Sequence, residues 1–149
     1  AGMIQALVAG AVVVPSAWLL MGPGVDLRLD HPVFLLLVAV LVSLCAAAAG
    51  LTLGCSVGQT QIGLMFSLVL APMIFFGCAY YPWSALAAFP FLQKAVLVNP
   101  LVYASEGFRG ALAPQFPHLP RALVVGALLV FDALFFVAGI RRFHKKAIN

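Results

Sequence analysis

The stretch Val33–Leu53, VFLLLVAVLVSLCAAAAGLTL, holds no charged residue. About 20 apolar residues in a helix cross the roughly 30 Å hydrocarbon core of a bilayer, so this run is long enough to span one. Only helices and closed barrels satisfy their backbone in lipid. A barrel strand would alternate apolar and polar residues over about ten positions, and this run is continuously apolar. The reading is therefore a membrane helix. Met3–Met21, Ile62–Tyr80 and Ala122–Ile140 have the same character, with Pro15 inside the first, Pro72 inside the second and Asp132 inside the third. Each proline removes a backbone donor and predicts a kink.

Composition agrees. The chain is 64% hydrophobic and 8% charged, against about 25% charged in soluble domains. The expected fold class is an all-α integral membrane protein, with four transmembrane helices over 3–21, 33–53, 62–80 and 122–140 in a single domain spanning 1–149. The formal charge of +4 comes largely from Arg141, Arg142, Lys145 and Lys146 in the segment 141–149. Basic residues flanking a span stay in the cytoplasm. That predicts a multi-pass protein of the cell membrane with both termini inside, and argues against nucleic acid as the partner of this cluster. Cys45, Cys55 and Cys78 lie in or beside apolar runs without zinc spacing and are expected to pack as small hydrophobes. The chain opens at Ala1 without a basic leader region, which suggests a fragment or processed form.

The segment 81–121 is too long for a turn yet far from polar, and Pro82, Pro90, Pro100, Pro114, Pro117 and Pro120 punctuate it. It predicts two short re-entrant or interfacial helices, about 83–98 and 100–112, between the third and fourth spans on the outer face. Asn99-Pro100 reads as a helix start, because Asn caps well and Pro suits the first helical position. From there Leu101, Ala104, Phe108, Ala111 and Leu112 share one helical face, with Glu106 and Arg109 on the other side. Tyr80, Tyr81, Trp83 and Tyr103 suit the membrane interface.

No GxxxxGK[ST], HExxH, GxSxG or paired-carboxylate pattern occurs. The expectation is no enzyme, no cofactor, no metal site, and loop histidines (His31, His118, His144) that are solvated. Glu106 and Arg109 stand three apart, which permits an ion pair. Spacing alone favours a surface pair worth about 0–1 kcal/mol over an outer gate. Asp132 is either a substrate or proton contact or a structural carboxylate, since a charge at mid-bilayer costs about 2.5–3.5 kcal/mol on insertion scales. Gly54 and Gly58 form a weak GxxxG.

Two stretches carry a family resemblance. Phe76-Gly77-Cys78-Ala79-Tyr80-Tyr81-Pro82-Trp83-Ser84-Ala85-Leu86 resembles the end of the fifth helix in permeases of type-2 ATP-binding-cassette exporters. Val98-Asn99-Pro100-Leu101-Val102-Tyr103-Ala104-Ser105-Glu106-Gly107-Phe108-Arg109-Gly110-Ala111-Leu112 is similar to that family's Asn-Pro-Leu-x-Tyr stretch, with Glu106 and Arg109 at its acidic and Arg positions. The resemblance implies the last four of six spans and two re-entrant outer helices. It also implies a separate ATPase subunit, a second permease copy and export by alternating access, with drugs, lipids or lipid-linked glycans as cargo. Asn99, Pro100, Tyr103, Glu106 and Arg109 become candidate outer-helix gating residues. A charge-swapped Glu106/Arg109 pair is expected to recover part of the function lost by either single change. A small four-helix membrane protein with an anchoring or assembly role is the alternative.

Overall fold

The computed structural model describes residues 2–21, 31–56 and 58–148, which are mostly helical with no strand among them. The loop charges Asp26, Arg28 and Asp30 lie outside the described residues.

Helix α1 is Gly2–Met21 and runs through Pro15. Helix α2 is Pro32–Ser56. It opens on a proline, whose missing N–H is no loss at a helix start, and Leu35 N donates to His31 O at 3.0 Å. The third apolar run forms one composite helix, α3. It starts as a 3-10 turn at Gln59–Gln61, becomes α at Ile62–Met65 and widens to a π turn at Phe66–Leu70. It ends as α at Ala71–Phe75. The widening has a cause. Pro72 brings no N–H and its ring crowds the carbonyl four residues back. The wider turn, in which Ala71 N donates to Phe66 O, makes room for it.

Helix α3 stops at Phe75, short of the expected Tyr80. Phe76 N and Gly77 N bond back to Pro72 O and Ile74 O, and Cys78 then turns the chain at φ 55. A non-glycine residue rarely adopts that left-handed conformation. The expected helix over 83–98 is instead three pieces: a 3-10 turn Trp83–Ala88, helix α4 at Pro90–Ala95, and a 3-10 turn Val96–Val98. The break falls at Phe89, at φ −126 and ψ 78, because a residue before proline is driven out of the α region. Helix α5 is Pro100–Leu112 and α6 is Arg121–Ile148, so the basic residues 141–146 continue a helix instead of forming a separate tail.

Two described helices are long and apolar enough to cross a membrane, Pro32–Ser56 and Arg121–His144, and the apolar part of α3, Gly63–Phe75, is shorter. Helix α2 packs most extensively on α6, α5 packs on both, and α1 packs on α2. Pairs along the α2–α6 seam fix the direction. The Arg121 guanidinium lies 5.3 Å from the Phe34 ring centroid at one end. Thr52 Oγ1 reaches Phe135 O at 3.1 Å towards the other. The two helices therefore run parallel. Helix α5 is wedged between them at the Phe34–Arg121 end, where Gly107 leaves no spare room: a Cβ there would sit 3.0 Å from Val124 Cγ1 and from Val38 Cγ1. At the far end Gly139 meets Thr52 Oγ1 in the same way, 3.2 Å from where a Cβ would stand. Gly54 and Gly58 have nothing within 4 Å of a Cβ, so that motif holds no described helix pair.

The wedge gives a direct test. Gly107→Leu should overpack the α2–α5–α6 junction and destabilise the protein by about 1–3 kcal/mol, read from unfolding in mixed micelles. Gly126→Leu, in the same α6 but with open space at its Cβ, should be neutral. Equal effects from the two would show that the close approach at Gly107 is not what holds α5 in place.

Candidate functional site

The polar groups of the chain converge where α5 meets its neighbours. Asn99 caps α5 as its sequence suggests: its side chain accepts from Leu101 N at 3.0 Å, and Pro100 follows at the first helical turn. Its amide also donates to Met73 O at 2.6 Å. The Met73 carbonyl is open because the end of α3 tightens and Gly77 N turns to Ile74 O. One side chain thus satisfies the start of α5 and the end of α3. The contact requires Gly77, where a Cβ would meet Leu101 Cβ at 2.8 Å.

Glu106 is 1% exposed. Its Oε1 accepts from Trp83 N at 2.8 Å and from Arg109 Nη1, and its Oε2 accepts from Leu119 N at 2.9 Å. The other arm of the guanidinium, Nη2, donates to Cys78 O at 3.0 Å. The pair is therefore no surface bridge. It binds four segments at once: the left-handed turn after α3, the first 3-10 turn, α5 itself and the approach to α6. The expectation from spacing fails because Trp83 and Leu119 bring main-chain donors that helical periodicity does not register. A charged acceptor held by several N–H groups can be buried where a lone one cannot.

The buried face of α5 is shifted from the expected one. Ala104 and Ala111 of the expected face are buried, and so are Tyr103, Glu106, Gly107 and Gly110, while Leu101, Phe108 and Leu112 are only partly covered. Small residues decide this. Gly107 fits between Val38 and Val124, and Gly110 lies against the His118 ring, 3.3 Å from where a Cβ would stand. His118 is accordingly half-buried, not solvated. Tyr103 is a core residue at 8% exposure. Its hydroxyl donates to Leu97 O at 3.0 Å and its ring stands 5.9 Å from Phe131. Burial raises the Tyr103 hydroxyl above its ordinary value of 10.0, so it stays a donor at neutral pH. Trp83 ties together the short pieces between α3 and α5, its Nε1 donating to Gln93 O at 2.9 Å. Tyr80, by contrast, is 80% exposed.

Asp132 stands apart from this cluster. It is buried in the α2–α6 seam, where the weakly donating Cys45 thiol faces it, and among the described residues no N–H or O–H group reaches either carboxylate oxygen. Among the described residues no group of three or more His, Cys, Asp or Glu is placed to hold a metal. Cys45 and Cys78 are buried free thiols and Cys55 is half-buried. Between α3, the short pieces that follow it and Phe135 of α6 runs an open apolar groove of about 580 Å³, lined by Val69, Pro72, Met73, Phe76 and Leu92. Asn99 lies at its edge with its amide already engaged.

A family model described as ABC-2 type transporter matches residues 1–113. No curated protein and no solved structure matches.

The double duty of Asn99 separates two variants. Asn99→Asp keeps the acceptor for Leu101 N but loses the donor to Met73 O, and should cost about 1 kcal/mol. Asn99→Ala loses both and should cost about 2 kcal/mol or more. Unfolding titrations in mixed micelles measure the difference. No loss in Asn99→Asp would mean the contact with Met73 contributes nothing, and equal losses would mean the same of the cap on Leu101 N.

Proposed function

Because the chain belongs to the ABC-2 type transporter family, whose membrane domains are non-catalytic transmembrane components, we propose that it serves as permease in an ATP-driven exporter. A separate nucleotide-binding subunit hydrolyses ATP, and a second permease copy completes the path. The observation that carries this reading is the buried Glu106–Arg109 clasp at the junction of α3, the outer pieces, α5 and α6. It makes the short elements between α3 and α6 one body fastened to both helices. A body of that kind moves as a unit when the helices move. It is suited to close the extracellular end of a path in one state and clear it in another.

The four runs span the cell membrane in this reading, with the termini inside and 81–120 outside. Asn99, Pro100 and Tyr103 position the outer body, and Glu106 with Arg109 fastens it. The uncovered apolar side chains of the bundle, among them Leu36, Leu134 and Phe136, face lipid. The open groove beside α3 favours apolar or lipid-linked cargo.

Orientation is checked by aqueous labelling of single cysteines. Lys94→Cys should react from outside and Lys146→Cys from inside, and reaction of both from one side would overturn the topology. The gate is checked by transport in vesicles that hold the complete permease with its ATPase. Glu106→Ala and Arg109→Ala should lower export several-fold while ATP hydrolysis persists. The geometry reverses the expectation for the charge swap. An Arg at position 106 cannot accept from Trp83 N and Leu119 N, so the swapped double variant should stay as impaired as the single ones. Normal export by both single variants would remove the gating role.

A further inference from the structure

Asp132 lies eleven residues after the start of α6, about 16 Å along the axis at 1.5 Å per residue, which is half the thickness of a hydrocarbon core. It is 6% exposed, and no N–H or O–H group of the described residues reaches either carboxylate oxygen. Among the described residues, everything packed around it is uncharged or already engaged. Helix α2 presents the Cys45 thiol and carries no Lys, Arg, His, Asp or Glu, and α1 behind it carries none either. Helix α5 contributes Tyr103, whose hydroxyl is held by Leu97 O, and its charged pair is closed on itself and on backbone groups. The chain's other cations on described helices lie elsewhere: Arg121 on Phe34 at the end of the seam, Lys94 exposed on α4, Arg141 and Arg142 exposed further along α6, and Lys145 and Lys146 in its last turns, 13 and 14 residues beyond Asp132.

A carboxylate needs strong donors, and the described residues offer it only the Cys45 thiol, a weak one. A neutral carboxyl needs far less, because it carries no charge into the apolar seam. We propose that Asp132 is a proton-binding site in the α2–α6 seam, occupied while the seam is closed and emptied when water enters between the two helices. The proton comes from solvent water and returns to it, and the carboxyl is the sole group that gains or loses it. Closure of the seam thereby takes up one proton. The site depends on the packing of α2 on α6 and is independent of the exporter reading.

The test uses the full chain in lipid nanodiscs. The chain's carboxyl side chains are Asp26, Asp30, Glu106 and Asp132, so carbon-13 aspartate in an Asp26→Asn/Asp30→Asn variant labels Asp132 alone, leaving its own position untouched. Infrared spectroscopy at neutral pH should show the isotope-shifted C=O stretch of a protonated carboxyl and little of the carboxylate pair. As a second readout, the unfolding equilibrium of the native sequence should shift towards the unfolded form as pH rises from 5 to 8, by up to about tenfold per unit, the limit for one proton. Asp132→Asn, which is neutral at every pH, should remove that slope. A labelled carboxylate band at neutral pH, or an unchanged slope in Asp132→Asn, would overturn the proposal.

Discussion

Glu106 is the constraint around which the rest is arranged. A carboxylate taken out of water costs several kcal/mol even after relaxation, and here three donors reach it from three directions. Two are main-chain N–H groups of segments that otherwise have little regular structure, Trp83 and Leu119. Removing the carboxylate would leave both unsatisfied and the Arg109 guanidinium half-held. The broken backbone of 76–99, short helical pieces joined by turns, and the irregular 113–120 are acceptable in a mostly apolar chain because their polar groups find protein partners. Tyr81 takes Phe75 O, Trp83 takes Gln93 O, Asn99 takes Met73 O and Arg109 takes Cys78 O.

The glycines serve that arrangement. Gly107 and Gly110 sit on the Glu106 side of α5 and let it approach α2, α6 and His118 closely enough for the carboxylate to reach both neighbouring segments. Gly77 lets the end of α3 close on Leu101. Further along the seam, where no charge is involved, Thr52 and Gly139 play the equivalent part. The Thr52 hydroxyl lies within reach of its own helix at Ala48 O, 2.8 Å, and of Phe135 O across the seam.

Much of this was readable from the residues. Continuous apolar runs predict the long helices, and Asn99-Pro100 predicts the start of α5 at the position where it occurs. Proline punctuation predicts short elements in the segment before it. What could not be read is whatever depends on main-chain groups distant in sequence. Helical periodicity places Glu106 opposite the apolar residues of α5 and so predicts solvent. It does not register that Trp83 N and Leu119 N point at the same spot. For the same reason Tyr103 reads as an interface aromatic and turns out to be core. The spacing of Gly107 and Gly110 was the available signal, since two small residues three apart mark a face that can be approached. The end of α3 was overestimated because hydrophobicity continues to Tyr80 while the backbone turns at Cys78.

Helix α3 has few neighbours along most of its length. Its ties to the rest of the chain gather at one end, through Met73, Phe75 and the turn at Cys78, and its π turn lies just below them. A rod pinned at its top with a softened joint beneath the pin is a pendulum. A swing of its lower half about the π turn would leave the bonds at that pinned end in place, limited below by the short link from Ser56 to Gln59, and its energy would be set by the surrounding lipid tails or another helix more than by the fold itself.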